Sequence, residues 1–168
     1  MRSMLTPSAA VGLALDVARE GLERGEMPIG AVVFDEERIR GRAYTQEKAL
    51  GRRIVHADLL AMEQADEVLG FDKPRGLLTL AVTLEPCLMC MGAAITLGVQ
   101  RIWYALESPN DGADALLKMW EPPVEQPFFS RPGEINGGIR RFESRQLFAE
   151  YAAGDGPSGM RAWARSLG

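Results

Sequence analysis

The first part of the chain passes from a helical to an extended pattern of hydrophobic residues. Between residues 9 and 22 the apolar positions recur at helical spacing, which predicts a first helix. Residues 29–34 form an apolar run that predicts a buried strand. Residues 38–44 partly alternate between apolar and polar side chains after a polar turn. We therefore expect a helix followed by an antiparallel hairpin.

The middle of the chain carries two further helical patterns around a strand. Residues 45–53 lack a clean period and predict a loop, whereas residues 56–69 predict an amphipathic helix. The continuous apolar run over 77–84 is typical of a strand that is covered on both faces. Residues 87–97 then predict another helix, and Pro86 suits its first position because no amide hydrogen is needed there.

The last third of the chain is less regular. Residues 101–106 predict a short strand, 112–120 a helix and 139–152 a longer helix. Between them, residues 121–133 contain four prolines and two adjacent phenylalanines, which favours a lid-like loop. The closing residues 158–168 predict either a short helix or a frayed tail.

Helices and strands thus alternate, which predicts an α/β sandwich around a largely internal sheet. A chain of 168 residues with 46% hydrophobic and 25% charged residues fits one globular domain. We expect residues 1–152 to form this domain and residues 153–168 to be a tail or short helix of the same domain.

Charge and hydropathy narrow the classes of partner. The net charge of -4 disfavours a protein that binds nucleic acid mainly by neutralising phosphates. The apolar stretch at residues 9–15 is broken by Asp16 and preceded by one basic residue, so it resembles neither a signal peptide nor a membrane span. We expect a cytoplasmic protein with no membrane partner.

Both cysteines of the chain, Cys87 and Cys90, lie at the start of a predicted helix that follows a buried strand. Their spacing brings the two sulfurs to one face, and the positive end of the helix lowers the pKa of the thiols. A metal site needs such thiolates. The same pattern is also found in redox dithiols of the thioredoxin kind.

The single histidine, His56, begins the other central helix and is followed at the second position by Asp58. An imidazole and two thiolates fill three positions of tetrahedral zinc and leave the fourth for water, which the metal activates. Asp58 is then the candidate general acid and base that carries protons. Side chains two residues apart on a regular helix point about 200° apart, so we expect His56 at the irregular start of the helix.

These residues resemble the zinc signature of the cytidine deaminase-like superfamily. Residues 27–33 (MPIGAVV) and 83–93 (TLEPCLMCMGA) are similar to the branch that contains tRNA adenosine deaminases, guanine deaminases and nucleoside deaminases. The resemblance implies a three-layer α/β/α sandwich with a five-stranded mixed sheet. It also implies one zinc per chain, held by His56, Cys87 and Cys90, and a homodimer whose subunits help complete each other's pockets.

The chain departs from this branch at two site positions. Asp58 replaces the usual glutamate, so the carboxylate falls short by about 1.5 Å, and we expect the pocket to have shifted to compensate. Thr45 stands eleven positions before the histidine, where the branch has an asparagine that contacts the base. The acids at 111 and 114 predict helix caps more than pocket contacts. The candidate substrate contacts are Thr45, Ala57, Glu85, Asp111 and Phe129.

The leading hypothesis is a hydrolase that releases ammonia from a small purine-like, pyrimidine or triazine ring. Deamination of adenosine in tRNA is the alternative of the same class, since arginines between 140 and 165 supply some positive charge. Two alternatives of another class are a redox module that uses the two cysteines and a zinc-binding homologue without catalysis. We expect a small-molecule substrate.

Overall fold

A computed structural model of the chain describes residues 5–36, 38–71, 76–125 and 130–168. Its helices and strands are, in chain order, α1 (Pro7–Glu23), β1 (Gly30–Phe34), β2 (Ile39–Tyr44), α2 (Glu47–Leu50), α3 (Ala57–Leu69), β3 (Leu78–Leu84), α4 (Leu88–Leu97), β4 (Val99–Leu106), α5 (Asp114–Met119), β5 (Glu134–Asn136), α6 (Arg141–Ala153) and α7 (Ser158–Ser166). Over this part of the chain, no helix has both the length and the hydrophobicity that crossing a membrane requires.

The five strands form one mixed sheet in the order β2-β1-β3-β4-β5. Strand β1 pairs antiparallel with both β2 and β3, whereas β4 runs parallel to β3 and to β5. Every residue of β3 is buried, as expected of a strand that is covered on both faces. The predicted hairpin and the five-stranded mixed sheet are therefore confirmed.

Helices cover both faces of the sheet. Successive strand residues point to opposite faces, so Val32 of β1 packs with Val11 of α1, whereas Val33 packs in the core that also contains Met62 of α3 and Met91 of α4. This arrangement is the predicted α/β/α sandwich. It places α3 and α4 side by side on the face that carries the chemistry.

Two glycines allow helices to lie directly on the sheet. A Cβ atom on Gly30 would overlap backbone atoms of Ala14 and Ala18 in α1, and one on Gly41 would overlap the backbone of Ala61 in α3. Both positions therefore need the missing side chain, because a strand glycine permits close backbone approach. The contact at Gly41 holds α3 against β2 and so fixes the helix whose start carries His56.

The predicted loop at residues 45–53 is wrong in part, because it contains the single-turn helix α2. The buried carboxylate of Glu26 accepts hydrogen bonds from the amides of Lys48 and Ala49 at 3.1 and 2.6 Å. The helix ends at Gly51, whose backbone is left-handed with φ 60°. A distant carboxylate thus satisfies the helix amides, which no periodicity within the loop can reveal.

The prediction that Pro86 opens the second central helix is wrong. Cys87 has extended backbone angles, φ -74° and ψ 171°, and α4 begins at Leu88, so the proline lies ahead of the helix. Cys87 instead forms a bridge with Gly112, which ties the turn after β3 to the turn after β4.

The sequence pattern also did not locate β5. This strand has three residues, too few for a recognisable alternation, and it exists because Ile135 pairs with Ile102 of β4.

The closing segment, for which the sequence left two possibilities, contains α7. Its Trp163 meets Phe148 of α6 edge to face, with ring centroids 5.9 Å apart. This helix packs into the same small core as Met27, which lies just before β1, and Leu84 at the end of β3. The last helix therefore lies close to the end of the central strand.

Candidate metal centre and active site

The predicted metal ligands lie at the starts of the two central helices. His56 immediately precedes α3 with extended backbone angles, φ -68° and ψ 149°, as expected from its spacing to Asp58. Cys87 precedes α4 in the same way, and Cys90 lies in the first turn of that helix. Because α3 and α4 pack side by side on the sheet, their starts bring the three side chains together.

The ligand atoms have the separation that a tetrahedral zinc ion needs. The His56 Nδ1 atom lies 3.6 Å from Cys87 Sγ and 3.8 Å from Cys90 Sγ, and the three ligand atoms lie within 4.8 Å of one another. Zinc bonds of about 2.1 Å to nitrogen and 2.3 Å to sulfur place tetrahedral ligands about 3.6 Å apart. The donor set and its geometry therefore fit zinc.

The three groups also share protons. The hydrogen bond with Cys90 lowers the pKa of Cys87 to about 4, and the same contact raises the pKa of Cys90. The hydrogen bond with Cys87 raises the pKa of His56 to about 9. A metal that binds here has to displace the protons of His56 and Cys90, because only the deprotonated groups are ligands.

Asp58 lies beside the ligands and is 4% exposed. Its Oδ1 atom accepts a hydrogen bond from Cys90 Sγ at 3.0 Å and another from the amide of Leu59 at 3.2 Å. Burial raises the pKa of this carboxyl group, whereas the bond from Cys90 lowers it. The aspartate therefore reaches the ligand group despite its short side chain.

A cavity of about 290 Å³ opens over the ligands. We call the part of the cavity that is lined by His56, Asp58 and Cys87 its inner end. Around them the cavity is lined by Met27, Ile29, Thr45, Glu47, Ala57, Leu84, Glu85, Asp111, Gly159, Met160 and Trp163. Its volume is at the lower end of the range for small-molecule sites, which suits a single heterocycle.

Four of the five predicted substrate contacts line this cavity: Thr45, Ala57, Glu85 and Asp111. Thr45 is 1% exposed, and its hydroxyl donates to the Val55 carbonyl at 3.2 Å. The fifth, Phe129, and the adjacent Phe128 lie outside the described residues.

The carboxylate of Glu85 ties two turns together beneath the cavity. Its Oε2 accepts from the amide of Ser108 at 2.9 Å and its Oε1 from the amide of Asp114 at 3.0 Å. Side-chain atoms of Glu85 occupy the space that a Cβ on Gly112 would need. Glu85 thus shapes this wall of the cavity.

The prediction that the acids at 111 and 114 cap a helix is wrong. The residue that precedes α5 is Ala113, which makes no side-chain capping bond, and the first amide of the helix donates instead to Glu85. Asp111 accepts a hydrogen bond from the Ser108 hydroxyl at 2.5 Å, and Asp114 accepts one from the Tyr104 hydroxyl at 2.8 Å. Asp111 is thus bound within the turn after β4 and Asp114 by a residue of β4 itself, and of the two only Asp111 lines the cavity.

Sequence reasoning missed Glu47, whose side chain forms part of the cavity wall beside His56. Its Oε1 atom lies 3.6 Å from His56 Nε2, on the side of the imidazole away from the sulfurs. Burial raises the pKa of Glu47, and the neighbouring His56 lowers it. Gly51 was the available signal, since a glycine often ends a helix and so points to a short helix before it.

Helix α7 contributes Met160 and Trp163 to the lining of the cavity. We call these two residues, together with Glu47 of α2, the outer wall of the cavity. Residues 121–125 and 130–133, which are the described part of the predicted lid-like loop, are not among the lining residues. A signal for α7 was present, because Met160, Trp163, Ala164 and Leu167 follow the spacing of one helical face.

Comparisons with known proteins agree with this site. Residues 5–106 match the family model described as the cytidine and deoxycytidylate deaminase zinc-binding region. The tRNA-specific adenosine deaminase of Bacillus subtilis is 32% identical over 138 residues, which are 82% of this chain and 83% of that protein. The match to the family model includes the segment that carries all three ligands and Asp58.

Two further similarities concern proteins that act on tRNA. A solved structure from a study of A-to-I editing by tRNA:A34 deaminases has a TM-score of 0.67 and 31% identity, and the match covers 82% of this chain and 97% of that chain. The tRNA(Ile)-lysidine synthase of Deinococcus radiodurans is 36% identical over 148 residues. This match covers 84% of the chain and spans about a quarter, 24%, of that synthase.

The chain therefore belongs to the cytidine and deoxycytidylate deaminase family, whose defining region binds zinc. The predicted superfamily and the zinc cofactor are both confirmed.

Proposed function

We propose that the chain is a zinc-dependent hydrolase that removes an amino group, as ammonia, from a small amino-substituted nitrogen heterocycle. One observation carries this proposal: the metal-binding group of His56, Cys87 and Cys90 opens through His56 and Cys87 into a cavity, with the buried Asp58 beside it. Zinc, when bound, supplies Lewis-acid activation of a water molecule at its open position. The protein supplies the remaining steps.

Asp58 is the proton carrier in this proposal. Its carboxylate takes one proton from the attacking water and delivers it to the ring nitrogen next to the amino-bearing carbon. It then takes the second proton of the same oxygen atom and gives it to the amino group, which leaves as ammonia. The position of Asp58 supports this role, because its Oδ1 atom lies 3.0 Å from Cys90 Sγ, at the ligand group, and its burial excludes bulk water. The aliphatic and aromatic side chains that line the cavity hold the ring in the same orientation in each catalytic cycle.

The size of the cavity and the net charge of -4 favour a small substrate over a nucleic acid. The test is ammonia release by zinc-loaded protein across free bases, nucleosides, aminotriazines and unmodified tRNA. Release from at least one small heterocycle, lost when zinc is removed, supports the proposal. No release from any of them would leave a zinc-binding homologue without catalysis.

Deamination of adenosine in tRNA is the second candidate. It is favoured by the names of the relatives, a tRNA-specific adenosine deaminase at 32% identity and a structure of a tRNA:A34 deaminase. Inosine formed in an anticodon loop, with tRNA binding that weakens steeply with salt, would select this function. A Cys87–Cys90 disulfide active in thiol exchange, without bound zinc, would instead select the redox alternative.

The assembly and location of the chain are also proposals. We infer a homodimer, because Leu59, Met62, Ala93 and the 94% exposed Phe71 give an apolar part to a groove between α3 and α4 that also carries Glu63 and Asp66. A mass of two chains in solution would support it and a monomer would contradict it. A cytoplasmic location stays a prediction from the sequence.

A further inference from the structure

Glu47 has acceptor capacity that the described residues do not use. Its Oε1 atom lies 3.6 Å from His56 Nε2, a distance longer than a hydrogen bond. Its Oε2 atom lies 3.4 Å from the Thr45 hydroxyl. A carboxylate has room for about four hydrogen bonds. The side chain is 28% exposed, and it is one of the side chains that line the cavity. A molecule in the cavity can therefore donate to it.

The position of Glu47 is fixed from behind. Glu26, which is 2% exposed, holds the amides of Lys48 and Ala49, and the amide of Gln46 donates to the Val55 carbonyl at 3.1 Å. These bonds anchor both ends of the single turn that carries Glu47. The carboxylate is thus presented to the cavity by a braced element, which is what precise recognition requires.

The neighbouring Thr45 does not offer a hydrogen-bond donor to a molecule in the cavity. A hydroxyl group has one proton, and the shorter contact of Thr45 directs that proton to Val55 rather than into the cavity. The other acid on this side, Asp111, also presents an acceptor. Among the described residues that line the cavity, none is lysine or arginine. This side of the cavity therefore receives donors and offers no cation to a phosphate.

We propose that Glu47 determines specificity: its carboxylate accepts a hydrogen bond from a ring N–H or exocyclic amino group of the substrate, so the cavity selects donor-bearing, unphosphorylated heterocycles. This inference rests on the proposed function, because it assumes that the cavity holds the reacting ring. A hydrogen bond to a charged acceptor contributes about 1.5–3 kcal/mol, or roughly 10- to 100-fold in affinity.

The test compares zinc-loaded wild type with two variants. Glu47→Gln keeps the size and a neutral acceptor, whereas Glu47→Leu has no acceptor. Glu67→Gln is the matched control, since Glu67 is exposed on α3 and does not line the cavity. Calorimetry gives the dissociation constants of 2,4-diaminopyrimidine and 4-aminopyrimidine, which differ by one amino group, and of adenosine and adenosine 5′-monophosphate. Metal analysis gives the zinc content of each protein.

In wild type and in Glu67→Gln we expect the diamino probe to bind at least about tenfold more tightly than the monoamino probe. Glu47→Leu should bring the two within about threefold, and Glu47→Gln should lie between, because a neutral acceptor is about half as strong. Both Glu47 variants should reduce the discrimination against the monophosphate and keep their zinc.

Equal ratios in wild type and Glu47→Leu would overturn the inference. Zinc loss in both Glu47 variants with unchanged probe ratios would also overturn it, and would assign Glu47 to orienting His56 instead. Ammonia release is measured separately on the same proteins. A protein that releases none but shows the expected probe ratios would contradict the proposed function and retain the role of Glu47.

Discussion

The inner end and the outer wall of the cavity are built by different means. The inner end is formed by residues at the starts of α3 and α4, two helices packed on the central strands of the sheet. The outer wall is formed by the single turn α2 and by the last helix, α7, which packs in a smaller core at the end of β3. We therefore expect the two central helices to place the chemistry and these shorter elements to decide which substrate is accepted.

This difference predicts that changes at the inner end abolish the reaction, and that changes at the outer wall alter which molecule reacts. A family can keep its zinc centre while the wall varies, since short peripheral elements tolerate substitution better than buried helices. This chain differs from the deaminase branch at two site positions, and only one of them fits this expectation. Thr45 belongs to the wall of the cavity, whereas Asp58 belongs to its inner end.

The largest effect is expected from loss of a ligand. Cys90→Ser should lose zinc and all measurable ammonia release, because the buried Cys90 is one of the three candidate ligands that the described residues bring together. Metal analysis and an ammonia assay on the same sample measure both. Ser166→Ala, at the end of α7, is the control for handling. A Cys90→Ser protein that retains one zinc per chain would show that Cys90 is not a ligand.

Loss of the proton carrier should be the next largest effect. Asp58→Ala should keep its zinc but lose about 10²- to 10⁴-fold in kcat, the range typical of general acid and base catalysis. Glu67→Ala removes a carboxylate from the exposed side of the same helix and should leave kcat unchanged. If Asp58→Ala matches wild type on the true substrate, another group carries the proton.

The reverse change at the same position sharpens the account. Asp58→Glu should also lower kcat, because the longer acid would crowd the space between Cys90 and the substrate. If Asp58→Glu creates activity in an otherwise inert protein, the natural chain is a zinc-binding relative that has lost catalysis. Steady-state kinetics on zinc-loaded protein distinguishes these results.

A smaller effect is expected at the outer wall. Trp163→Ala should raise KM about tenfold with little change in kcat, because the indole lines the cavity and we expect it to pack on the bound ring rather than on the reacting atoms. Trp163→Phe should recover most of the affinity, since it keeps a ring in contact with Phe148. Phe142→Ala, on an exposed aromatic of α6, controls for general effects of removing a ring. A fall in kcat with unchanged KM would place Trp163 at the chemistry instead.

The mildest perturbation is a change of pH. Between pH 4 and 9 the metal-free Cys87 is a thiolate while His56, with a pKa of about 9, and Cys90, with a raised pKa, are protonated. Zinc binding at pH 7 should therefore release about two protons, and zinc affinity should fall as the pH falls. Calorimetry in buffers of different ionisation enthalpy counts them. Release of no protons would contradict the shared-proton description of the ligands.

The same division decided what the sequence could predict. His56, Cys87 and Cys90 were found because their spacing resembles the zinc signature of the deaminase superfamily, and hydrophobic periodicity placed them at helix starts next to buried strands. Helix α2 was missed because its amides are satisfied by Glu26, a residue more than twenty positions earlier. Strand β5 was missed because pairing with β4, rather than a pattern of its own, makes it extended.

Glu47 shows the limit for the site. Its residue type and spacing to His56 carry no known signature, and only the folded turn brings its carboxylate to the imidazole. Asp58 shows the opposite case, because the sequence alone raised the question of its reach. The 3.0 Å distance between its Oδ1 atom and Cys90 Sγ shows that the short side chain reaches the ligand group.

If zinc at His56, Cys87 and Cys90 drives hydrolysis in the cavity, activity has to follow the metal. Metal-free protein is titrated with zinc while ammonia release from the best small substrate is recorded. Activity should rise in proportion to zinc and stop rising at one zinc per chain. Full activity without metal, or one bound zinc that restores no release from any substrate including tRNA, would contradict this role of zinc.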